Sequence, residues 1–427
     1  MNQDDLSRAR RYSYLICGAV FLSYIFVYFH RLCPSVVALD MQKAFGIGPT
    51  LLGVLGSAYF YPYGLMQLPV GLLADSWGPR KTISAFFLLA ALGSLLMGLA
   101  GSLSWAVIGR VLVGVGVSTV YVCNFKILAE WFRPRQFMVA GGVFMAMGGV
   151  GALAAGTPMA FFSGLVGWKG TLVGVGLVSL VIAGLAYIII RDRPSDLGLP
   201  DLASGSADPP AQKIGLGQGI KQVVTAARFW PLAIWAFMAV GIAFALGGMW
   251  LGPYLQQVYG MSRAQAGVYQ SMFGVALVIG SPLQSYLANR YGRKPVLIGC
   301  SLLLLLLGSA FYMYPSGLSP QVLMVLVFLF FVAGGAPGSV VATVAKELFP
   351  RAIAGTAVGL LNIFPFFGGG IFQIVLGWLL TGGGDTTGAY TAAAFQNLFA
   401  FSVLCALGSL LAGLMVPETL PQADDKG

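Results

Sequence analysis

Charge is what this sequence has least of. Only 9% of its 427 residues are Asp, Glu, Lys or Arg, against roughly a quarter in water-soluble domains, so most of its folded surface must face something other than water. That excludes soluble two-domain enzymes and disordered chains. Histidine occurs once, as His30, and one imidazole without a carboxylate in the same apolar run cannot build a metal centre or a catalytic acid–base pair. A membrane-embedded enzyme is therefore excluded, and no metal or cofactor is expected. The five cysteines, Cys17, Cys33, Cys123, Cys300 and Cys405, all lie in apolar runs, where they act as small hydrophobes rather than a disulfide framework.

What the chain has in quantity is hydrophobic residues, 58% of the total. They fall into about twelve runs long enough to cross a bilayer, near 14–38, 50–73, 82–100, 104–127, 138–163, 170–190, 229–254, 264–288, 295–314, 320–345, 353–381 and 390–415. The polar opening MNQDDLSRAR leads into a first run with no small-residue cleavage site, so a retained helix is expected rather than a signal peptide. With both termini inside, the outer side holds only Lys43, Lys169 and Arg263, and two further cations, Arg31 and Arg110, lie within spans. The other nineteen of the 24 Lys and Arg face the cytoplasm, which is the positive-inside pattern of a multi-pass inner-membrane protein. This accounts for the +10 net charge with lipid as the only macroscopic partner and no nucleic acid.

A long polar break, mixing both charge signs with Pro, Gly and Ser, separates spans six and seven and reads as a cytoplasmic linker. The expected units are residues 1–190, linker 191–228 and 229–427. GLLADSWGPRKTI after span two is echoed by SYLANRYGRKPVL after span eight, with Gly292 standing 214 positions beyond Gly78. Repeated halves with a site between them are the usual build of secondary transporters. No Walker sequence is present, so a gradient or exchange must supply the energy.

Here the chain resembles the major facilitator superfamily. Gly71, Asp75, Gly78, Arg80 and Lys81 match its loop between spans two and three, although the second loop has Asn289 where an acid would complete the match. Arg110 with Gly114 and Gly116, Gly167-Trp168-Lys169, Arg191-Asp192-Arg193-Pro194 and Pro417-Glu418-Thr419 also match. The resemblance implies an all-α membrane protein of twelve transmembrane helices in two pseudo-symmetric six-helix bundles, working by alternating access, and a monomer is expected. It further implies a gating set of Asp75, Gly78, Arg80, Lys81 and Arg110, with Asp75 meeting the N-terminus of span eleven in the outward-open state. For Arg110 a structural role, bonding span one carbonyls, stands beside the gating one.

Ionisable groups inside a span are functional candidates because hydrocarbon penalises them. All 14 acids lie at span ends or in loops, so the interior is cationic and favours anions over cationic drugs or polyamines. Tyr24, Tyr28, Arg31 and Ser35 recur at helical spacing on one face of span one, and a guanidinium fork binds carboxylate, sulfonate or phosphate. Snorkelling of Arg31 to the outer headgroups is the competing reading. Tyr28-Phe29-His30-Arg31 also resembles span one of the organophosphate:phosphate antiporters and, less closely, the anion:cation symporters, where such an arginine binds the substrate anion. Span seven lacks those antiporters' second arginine, carrying Gly241-Ile242-Ala243-Phe244-Ala245-Leu246 instead. A monoanion or zwitterion is therefore expected, namely a carboxylate, sulfonate or amino acid.

Further cavity candidates are Tyr59, Tyr63 and Gln67 in span two, Tyr121 and Asn124 in span four, Tyr269 and Gln270 in span eight, and Asn362, Phe366 and Gln373 in span eleven. For the polar ones, helix-to-helix bonding is an equal reading; for the rings, plain packing is the favoured one. The small-residue run 148–152 in span five and Pro365 in span eleven mark sites of either bending or tight packing. His30 is the one side chain within the spans that titrates near neutrality, so a coupled proton, exchange and uniport all remain open. An organophosphate exchanger and a transporter-like solute sensor are the alternative functions.

Overall fold

The computed structural model describes residues 3–200, 215–381 and 390–420. These are helical almost throughout, with no strand among them; part of the expected linker, 201–214, lies outside the described residues. Ten continuous helical stretches are long and apolar enough to cross a bilayer, and two features of the backbone make them twelve passes. The stretch Gln136–Ile189 has 54 residues, about 80 Å of helix at 1.5 Å per residue and far more than one crossing needs. It turns back at Gly167, where φ is +72°. Contacts confirm the reversal: Lys169 Nζ donates to the Ala100 carbonyl at the end of span three, whereas Arg80 Nε, at its start, donates to the Tyr187 carbonyl. The other added pass is span two, broken into Pro49–Ser57, Phe60–Leu65 and Gln67–Ser76.

The two halves repeat a helix cap. At Gly78 and Gly292 φ is +85° and +109°, a region that L side chains avoid. Each glycine precedes a span whose first N–H groups lack intrahelical partners. In the first half the Asp192 carboxylate accepts from Arg80 N at 2.7 Å; in the second, Glu418 accepts from Arg293 N at 2.9 Å and Lys294 N at 3.1 Å. A Cβ on either glycine would collide with that carboxylate, which accounts for glycine at both positions.

Span one does not run through as one α-helix. It ends at Leu32, passes through a 3-10 turn, Cys33–Val37, and resumes as Ala38–Phe45. The cause is Pro34, which has no N–H to give the His30 carbonyl four residues earlier. Span five packs its glycines against span one, Gly148 on the rings of Tyr24 and Tyr28 and Gly151 on the Ile25 backbone, while Gly149 meets Val278 of span eight. The helix Leu216–Thr225 lies on the start of span eleven, with Gly219 against Ile353 and Thr356.

Candidate functional site

Between the halves lies a cavity of about 820 Å³, part of it open to solvent. Its lining comes from spans one, two, four, five, seven, ten and eleven, mostly from their halves nearest the described chain ends, with Tyr28, Arg31 and Phe244 lying deeper. The blind end is made by Arg31, Tyr63, Phe244 and Phe366.

Arg31 sits in the last turn before the break in span one and is 2% exposed. Five rings surround its guanidinium carbon, with centroids at 4.4 Å (Tyr28), 4.8 Å (Phe366), 5.0 Å (Tyr63), 5.1 Å (Phe244) and 5.9 Å (Tyr59). Its Nε has no partner, and no carboxylate pairs with it among the described residues. Ring faces offer a cation about 0.5–2 kcal/mol each, so five of them together offset much of the several kcal/mol that desolvating an ion costs. What the described residues leave unmet at this guanidinium is the Nε donor.

Arg110 serves the same break from the other side. Its Nη1 donates at 2.8 Å to the His30 carbonyl, the group that Pro34 leaves without a helical donor, and its guanidinium stacks on Tyr59 at 4.9 Å. Two buried guanidinium groups thus flank one phenol. Tyr59 is fully buried behind the cavity, with its hydroxyl donating to the Val27 carbonyl.

Seven of the candidates named from the sequence meet at the cavity: Arg31, Tyr24, Tyr28, Tyr63, Tyr121, Asn362 and Phe366. The others turn elsewhere. Gln67 accepts from Asn362 Nδ2 at 2.8 Å, joining spans two and eleven; Asn124 donates to the Val20 carbonyl and Ser23 Oγ. Tyr269 donates to the Pro320 carbonyl and Gln270 to the Gly247 carbonyl. Gln373 is wedged against Gly53, Gly56 and Gly248 beyond the blind end, and neither of its amide atoms has a partner. His30, about 100° around the helix from Arg31, faces span six, where Nε2 and Ser179 Oγ are 3.0 Å apart. The expected place of Ser35 beside Arg31 is corrected, because the helix ends at Leu32; Ser35 Oγ instead accepts from Gly252 N at 3.0 Å.

Of the loop residues, Asp75 pairs with Lys126 Nζ at 2.7 Å and does not meet span eleven in this conformation. Arg80 stacks on Tyr187 at 4.4 Å, and Lys81 is exposed. Sequence reasoning missed the seal beyond the blind end. There Asp40 Oδ1 pairs with Arg263 Nη2 at 2.6 Å, Tyr390 donates to Gln42 Oε1 at 2.5 Å, and Ser35 holds Gly252. Each bond joins the two halves. The cavity is open toward the described chain ends and shut on the opposite side.

Residues 16–373 and 251–426 match the description Major Facilitator Superfamily. The chain belongs to that superfamily. Solved structures agree in fold: a bacterial homologue of the human lysosomal transporter Spinster, in an inward-facing and unoccupied conformation, superposes with a TM-score of 0.77 at 18% identity, covering 95% of this chain and 98% of the other. Among sequence relatives, the probable sulfoacetate transporter SauU of Cupriavidus necator is 25% identical, over 88% of this chain and 88% of its own length. The D-galactonate transporter of Escherichia coli is 22% identical over 95% and 98% respectively. Members of this superfamily are multi-pass membrane transporters, not enzymes.

Proposed function

We propose that this protein is a secondary transporter of a small organic monoanion, a carboxylate or sulfonate, carried by alternating access. The observation that carries the reading is Arg31: a buried guanidinium at the blind end of an open cavity, held by rings and lacking a carboxylate partner among the described residues. The named substrates of the relatives, sulfoacetate and D-galactonate, are organic anions and support the anion part of the reading; sulfoacetate carries two negative charges, so the preference for a monoanion rests on the single cavity arginine. A monoanion is preferred over a zwitterion because, among the described residues, no carboxylate lines the cavity to receive an ammonium group. The positive-inside distribution of charge makes the open side cytoplasmic, so the conformation is inward-open in the cell membrane. The gating role of Asp75, Gly78, Arg80, Lys81 and Arg110 belongs to this proposal, as does a coupling role for His30, which would act through the contact with span six rather than in the cavity.

Counterflow tests the reading. Protein in liposomes loaded with a monoanion that stabilises it should draw labelled anion inward, and Arg31→Ala should abolish this. Binding without counterflow would support the sensor, and preferential exchange of phosphate for phosphate esters would support the organophosphate exchanger.

A further inference from the structure

The cavity's two walls differ in chemistry. Five lining residues of the first half, Tyr24, Tyr28, Arg31, Tyr63 and Tyr121, end in polar groups. Twelve described residues of the second half line the opposite wall, and among their side chains only Asn362 is polar, with its amide nitrogen already given to Gln67. This is a matter of facing, not composition. On span ten, Ser339 Oγ meets Ser285 and Thr343 Oγ1 donates back to the Ser339 carbonyl, while Gly338, Val341 and Ala342 turn to the cavity. On span seven Val240 and Phe244 line it, and on span eleven Val358, Leu361 and Phe366 do so.

Resting on the anion reading above, we propose that the substrate is amphiphilic: one carboxylate or sulfonate on a compact apolar body, of the alkanoate or arylalkanoate kind, rather than a polyhydroxylated acid. The anion lies on Arg31 and the tyrosine tips; the body lies on the second-half wall. Burying a methylene there removes it from water and tightens binding by about fourfold. A hydroxyl at the same place loses its water partners and finds none, which costs about tenfold in affinity.

The test is a titration of the purified full-length protein, by thermal stabilisation, with butanoate, pentanoate, hexanoate and 3-phenylpropanoate, set against D-gluconate and the neutral hexanamide. Affinity should rise about three- to fourfold per methylene, with gluconate at least tenfold weaker than hexanoate. Val341→Thr, which keeps the shape of the wall and adds a hydroxyl, should weaken hexanoate several-fold and narrow its lead over gluconate. A flat series, or gluconate as tight as hexanoate, overturns this proposal and leaves the anion reading standing. Hexanamide binding as well as hexanoate overturns the anion reading itself. Hexanoate affinity unchanged in Arg31→Ala would put the acid outside the cavity and overturn both.

Discussion

Pro34 does more to set the site than its apolar neighbours suggest. By removing one N–H it frees the His30 carbonyl, to which Arg110 donates, and it ends the helix one residue beyond Arg31. At this scale the sequence was partly legible. Helical periodicity brought Tyr24, Tyr28 and Arg31 to one face because the helix is unbroken there; it misplaced Ser35 because the projection crossed the proline. Arg31→Lys keeps charge but loses the planar fork, so ligand affinity should fall by about 1.5–3 kcal/mol, the range for a hydrogen bond to a charged group. Titrating a stabilising acid against that variant checks it, and unchanged affinity would assign Arg31 to anchoring the helix. His30→Gln should leave exchange intact, since the ring faces Ser179; loss of counterflow would bring His30 back into the transport step.

At the scale of elements, the sequence repeat after spans two and eight announced matching turns, and the structure adds what they are for. A carboxylate brought from the far end of each half caps the next span, a pairing of residues more than a hundred positions apart that local pattern cannot reveal. Burial alone would raise the Glu418 carboxyl, yet the backbone N–H groups of Leu420, Arg293, Lys294 and Thr419 hold it below its usual range. A lowered folded-state value means that the cap stabilises fully above the ordinary carboxylate range, about pH 4.3, and that this contribution is lost as pH falls through the lower folded value. Thermal unfolding should therefore show a smaller loss of stability on acidification in Glu418→Gln than in the parent. Equal slopes would mean that the cap carries no linkage. Gly292→Ala should lower thermal stability by displacing the same carboxylate, with Gly299→Ala, whose Cβ meets nothing, as the control.

For the molecule as a whole, the fold could be read from the apolar runs and the sidedness of the cations, whereas the seal could not. Asp40 and Arg263 are 223 residues apart, and each looked like an ordinary loop charge. Their ion pair ties the two halves together on the shut side, so Asp40→Asn and Arg263→Gln should each shift the resting population toward the outward-open form. Distances between spin labels placed across the far side would report the shift; unaltered distance distributions in both variants would dismiss the pair as a latch. Combining the substitutions should add little, because both remove the same bond.

The ring cage itself belongs to both halves: Tyr28, Tyr59 and Tyr63 come from one, Phe244 and Phe366 from the other. Relative motion of the halves must then change the company that Arg31 keeps, so on the proposed function the anion would meet a different host from each side of the membrane. Influx and efflux measured separately should saturate at different concentrations. If passage is uncoupled, detailed balance still forces the ratio of maximal rate to half-saturation constant to be the same in both directions, so the direction that saturates at the lower concentration must have the lower maximal rate.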